Sequence, residues 1–138
     1  MKPKRTILCV DGNEQSLSIR KVLLETRGYR VAAHSTGEEA FERFKRGGID
    51  LVLADLGTAA VEASRLVERV KDLSPQTPVI LLSAKMRGLD QEMRADVFLS
   101  RNMCAPADLL ERVRVLLVRK RGPKRAPPRP PAGQAGAA

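Results

Sequence analysis

A chain of 138 residues with a hydrophobic share of 43% has apolar surface enough for one core, while aromatics at only 3% leave that core to aliphatic side chains. No apolar run approaches the roughly 18 residues of a membrane span, and Met1-Lys2-Pro3-Lys4-Arg5 leads into a short strand-like run, not a signal-peptide core, so a cytoplasmic protein without membrane insertion is expected. The net charge of +9 suggests nucleic acid until it is located: residues 119–138 hold six basic side chains and no acid, and the other 118 residues, with 19 basic and 16 acidic side chains, are an ordinary +3.

Thr6-Ile7-Leu8-Cys9-Val10 is a β-rich run that stops at Asp11-Gly12. Helix formers from Glu14 to Arg27 predict a helix ended by Gly28, although Leu17, Ile19, Val22, Leu23 and Leu24 do not share one clean stripe. Tyr29 to Ala33 reads as a second strand. His34 has no evident partner and is read as structural or exposed. Thr36-Gly37-Glu38-Glu39 matches a capping box for a helix that buries Ala40, Phe41 and Phe44 and ends at Gly47-Gly48.

Leu51-Val52-Leu53-Ala54 predicts a strand buried on both faces, with Asp55 at its carboxyl end. Ala63, Leu66, Val67, Val70 and Leu73 recur at helical spacing until Ser74-Pro75. Val79-Ile80-Leu81-Leu82 is another buried strand, ending at Ser83. Lys85 to Met93 is polar and poorly patterned, with room for a small helix. Val97-Phe98-Leu99 is a last short strand before Ser100-Arg101, and Pro106 opens a helix with an apolar face of Leu109, Leu110, Val113, Leu116 and Leu117. Cys9 and Cys104 fit no metal-ligand spacing and are read as reduced and structural.

Strand and helix alternate five times, which predicts an α/β domain over residues 1–118 with one parallel sheet and helices on both faces. Residues 119–138, basic and rich in Pro, Ala and Gly, form a tail expected to be disordered. That tail is a solvated terminus or linker stub, or a nonspecific contact for an anionic partner such as nucleic acid; aromatics for base stacking are absent from it.

Right-handed crossovers place every strand's carboxyl end on one rim, where Asp11, Asp55, Ser83 and Arg101 are expected to meet. Two carboxylates there repel, and a proton, a cationic side chain or a divalent metal relieves them. Magnesium suits such an open edge, and a carboxylate held beside it can attack a phosphoryl group.

These residues resemble the receiver domain of bacterial two-component response regulators. The resemblance runs from Ile7 to about Val118 and rests on Ile7-Leu8-Cys9-Val10-Asp11, Gly28-Tyr29-Arg30-Val31, Gly37-Glu38-Glu39-Ala40, Asp50-Leu51-Val52-Leu53-Ala54-Asp55, Pro75-Gln76-Thr77-Pro78-Val79-Ile80 and Phe98-Leu99. It implies a flavodoxin-like three-layer sandwich with a five-stranded parallel sheet of order 2-1-3-4-5. It further implies Asp55 as phosphoacceptor; Asp11, Asp55 and the Gly57 backbone as a weak magnesium site; and Ser83, Arg101 and Phe98 as phosphoryl-contacting and switch residues. A stand-alone response regulator follows, served by a histidine kinase or phosphotransfer protein and acting on a downstream protein, not an enzyme on a diffusible substrate.

Several positions depart from the pattern. Gly12 stands for the second acid of the usual pair, Leu56-Gly57-Thr58-Ala59-Ala60 replaces the usual Met-Pro and Asp-Gly segment, and Arg101-Asn102 replaces Lys-Pro. An arginine at 101 has the reach to clamp Asp55 directly. The second expectation is therefore a degenerate receiver that signals by constitutive contacts, and the third is a tail-mediated nucleic-acid accessory.

Overall fold

The computed structural model describes residues 4–55, 60–83, 94–100 and 105–121. Five strands form one sheet of order β2-β1-β3-β4-β5, and every neighbouring pair is parallel. In chain order the elements are β1 (Thr6–Asp11), α1 (Glu14–Glu25), β2 (Arg30–His34), α2 (Gly37–Lys45), β3 (Leu51–Asp55), α3 (Ala60–Leu73), β4 (Val79–Ser83), β5 (Val97–Ser100) and α4 (Pro106–Arg121). The parallel sheet is the one expected from the alternation, and its order is that of the flavodoxin-like fold implied by the resemblance.

The strands form because short aliphatic runs are buried on both faces, and all five residues of β3 are buried. Side chains alternate across the sheet. Leu8, Val10, Val52 and Ala54 face Phe41, Phe44, Leu66, Val67 and Val70 of α2 and α3. Ile7, Cys9, Leu51 and Leu53 face the opposite layer, built from Leu17 and Leu24 of α1 and the α4 stripe through Val113 and Leu117. The core thus has two slabs, one on each side of the sheet.

Helix ends follow their local chemistry. The Asn13 side chain accepts from the Ser16 N–H at 3.0 Å, and Thr36 accepts from the Glu39 N–H at 3.1 Å. Glu39 itself lies 3.9 Å from His34 Nδ1, so His34 has a partner that its sequence context did not suggest. Gly28 and Gly47 adopt φ of 91° and 87°, the left-handed conformation that glycine takes without steric cost.

One expectation changes. Leu73 is 56% exposed and lies outside the buried face of α3, which is formed by Leu66, Val67 and Val70. Ile19 and Val22 are 62% and 59% exposed, leaving Leu17 and Leu24 as the buried residues of α1. Helix α4 runs to Arg121, while the rest of the tail and the segment Lys85 to Met93 lie outside the described residues.

Candidate functional site

The parity of β1 and β3 decides where their terminal acids point. Residues 7 and 9 of β1 and 51 and 53 of β3 face the α1 side, so the next positions in each series, Asp11 and Asp55, face it too. These two aspartates are also direct partners in the β1–β3 register. Both are buried, at 3% and 1% exposure, so two carboxylates share one dry corner at the carboxyl ends of adjacent central strands.

Among the described residues, the cation in that corner is Arg20. It lies on α1 three residues after Leu17 and four before Leu24, on the face that packs against the sheet. Its guanidinium spans both acids: Nη1 donates to Asp11 Oδ2 at 2.5 Å and Nη2 to Asp55 Oδ2 at 3.0 Å. The planar fork suits such bridging, since its donors are rigidly spaced. The Arg20 side chain is itself only 14% exposed.

Asp11 is held from a second side, where its Oδ1 accepts from the Asn13 N–H at 2.8 Å. Burial pushes the Asp11 carboxyl above its usual range, against the lowering pull of that N–H; the Asp55 charge adds to the rise and Arg20 opposes it. Behind the pair, burial pushes the Cys9 thiol up to about 12, so Cys9 is a protonated, buried, free cysteine, as its strand position suggested.

The other expected site residues are placed as follows. Ser83 ends β4 in register with Ser100, and Ala54 pairs with Leu81, so the Ser83 backbone is on the Asp55 rim; its hydroxyl lies outside the described residues. Phe98, half-buried, pairs with Leu81 and packs on the α2–α3 slab, on the opposite side of the sheet from the acids. Gly57 and Arg101 lie outside the described residues.

Sequence reasoning missed Arg20. A basic side chain in a helix ordinarily reads as solvent-facing, and only the 17–20–24 spacing marked it as part of the buried stripe. That cation is also the reason the apolar residues of α1 did not form a clean stripe.

A doubly wound sheet with acids at the carboxyl rim of its central strands defines a flavodoxin-like fold with a candidate site at its strand ends. The family profile described as "Response regulator receiver domain" matches residues 7–114, and the chain belongs to that family. The response regulator GtcR of Aneurinibacillus migulanus is 29% identical over 119 residues, 83% of this chain and 48% of that protein. The transcriptional regulatory protein YkoG of Bacillus subtilis is 31% identical over 124 residues, covering 88% of this chain and 54% of its own. The chain therefore spans about half the length of these relatives.

Among solved structures, a CheY-like receiver domain protein from Methanospirillum hungatei superposes with a TM-score of 0.78 at 25% identity, covering 86% of this chain and 98% of that one. The TrrA response regulator of Thermotoga maritima, solved in complex with Mg2+ and BeF, gives 0.71 at 24% identity over 81% of this chain and 98% of its own.

Receiver domains typically bind magnesium, and the residues here can be tested against that group. Among the described residues no three His, Cys, Asp or Glu side chains gather to hold a metal ion. Gly12 offers no ligand although a Cβ there would meet nothing within 4 Å, and one oxygen of each remaining acid is bonded to Arg20. The described donor set does not fit the usual magnesium cradle. Among the described residues no helix is long and apolar enough to cross a membrane.

Proposed function

We propose that this receiver domain works in phosphorelay signalling by accepting a phosphoryl group on Asp55 from the phosphohistidine of a histidine kinase or phosphotransfer protein, and relays the signal by protein contacts. The observation that supports this reading is the pairing of Asp55 with Asp11 at the strand ends, under a guanidinium already aimed at both. A carboxylate oxygen of Asp55 forms the new P–O bond, the P–N bond to the donor imidazole breaks, and its electron pair stays on the nitrogen, which takes up a proton. Arg20 supplies two spaced N–H donors to the charge that develops on the phosphoryl oxygens, at the cost of loosening its hold on one acid. The Ser83 hydroxyl and Arg101 are assigned to the remaining oxygens, and Phe98 to the movement that follows Ser83.

A second reading has its own observation. The Arg20–Asp55 bond of 3.0 Å ties up one carboxylate oxygen of Asp55, which favours a receiver held in one state that signals by constitutive contact. Incubation with acetyl phosphate, with and without magnesium, followed by intact-mass analysis separates the two. One phosphoryl adduct on the wild type and none on Asp55→Asn is expected; a wild type without adduct in either condition transfers the assignment to the constitutive reading.

A further inference from the structure

Among the described residues, the positive charge that faces this acid pair is Arg20 of the chain itself. If all three groups are ionised, these two carboxylates and one guanidinium together carry a charge of −1, and each of the three is at most 14% exposed. A divalent ion placed between Asp11 and Asp55 would lie beside a like-charged guanidinium in a poorly solvated space, where such repulsion is weakly screened. To admit it, Arg20 has to give up two charge-assisted hydrogen bonds, and the backbone cannot help it retreat. Helix α1 is pinned by the buried Leu17 and Leu24 on either side of Arg20, and by the Asn13 cap at its start.

Once Arg20 has moved, the described residues still offer only two carboxylates, while hard-cation affinity rises with the number of charged ligands. Gly12 is exposed and its Cβ position is open, so the shape of the site leaves room for a third acid that the sequence does not supply.

We infer that Arg20 is the resident counter-ion of the Asp11–Asp55 pair and holds divalent cations off this strand edge, so that the receiver site is assembled without metal. The inference rests on reading the edge as a receiver acid site, but not on phosphoryl transfer, so an adduct on Asp55 and metal binding are independent readouts.

The test is titration of the full chain with Mn2+, following the free-ion electron paramagnetic resonance signal, alongside thermal unfolding with Mg2+. Arg20→Gln should bind Mn2+ at least about tenfold more tightly than wild type, with Gly12→Asp added to it tightening the site further. Wild type binding as tightly as Arg20→Gln overturns the inference. So does an Arg20→Gln protein that folds yet binds no better than wild type, because the missing acid alone then keeps metal away. If Arg20→Gln does not fold, Arg20→Lys takes its place: it keeps the charge, but a compact ammonium cannot span both acids as the fork does. Its affinity should exceed that of wild type, and equal affinity overturns the inference.

Discussion

Asp11 makes a pH signature that an ordinary salt-bridged aspartate does not. Its folded-state pKa is raised, first by burial and then by the neighbouring Asp55 charge, against the Asn13 N–H and Arg20. As pH climbs past the unfolded aspartate value of about 3.9, the unfolded chain loses its proton first and the folded state binds more. This residue's contribution is therefore fully present below that value and is lost as pH rises through the raised folded value. Urea unfolding across the acid range should show wild type losing this component with rising pH, and Asp11→Asn should lack it. An identical pH slope in the two proteins would contradict the assignment.

At the scale of elements, the end of α3 is fastened to the sheet by a buried cation. Lys71 is 5% exposed, and its Nζ donates to the Thr77 carbonyl at 2.7 Å, the Pro75 carbonyl at 3.2 Å and Asp96 Oδ2 at 2.6 Å. The same Asp96 oxygen accepts from the Val79 N–H at 2.7 Å, so one lysine ties the α3–β4 turn to the lead-in of β5. Lys71→Met keeps the aliphatic stem and leaves those acceptors without their donor. A loss of about 2–3 kcal/mol is expected in urea unfolding, discounted from a fully buried pair because Asp96 is partly solvated. A change below about 0.5 kcal/mol would show the link to be incidental. On the same helix, Arg69 stacks 4.0 Å from the Phe41 ring centroid of α2, so Phe41 serves as core and as a cation platform at once. The central strands and the long amphipathic helices were legible in the sequence because aliphatic runs and caps are local signals. Arg20 and Lys71 were not, because a cation on a helix face looks solvated until the neighbouring sheet shows what that face covers.

The whole molecule brings residues 11, 20 and 55 to one corner through three long-range facts: the β1–β3 register, the shared parity of their terminal acids, and the packing of α1 on that side of the sheet. That Asp11 and Asp55 share one rim could be read from the sequence, since right-handed crossovers leave few alternatives, and the strand order followed from the resemblance to receiver domains. The part of Arg20 could not be so read, because nothing local to α1 shows that this face of the helix covers two acids; Arg101, the clamp expected from the sequence, lies outside the described residues. A double-mutant cycle in urea unfolding, with Arg20→Gln, Asp55→Asn and the pair, tests this convergence most directly. A buried charge-assisted contact predicts that the two substitutions are non-additive by at least about 1 kcal/mol, the Arg20→Gln penalty shrinking when Asp55 is already neutral. Strict additivity at neutral pH would contradict the account.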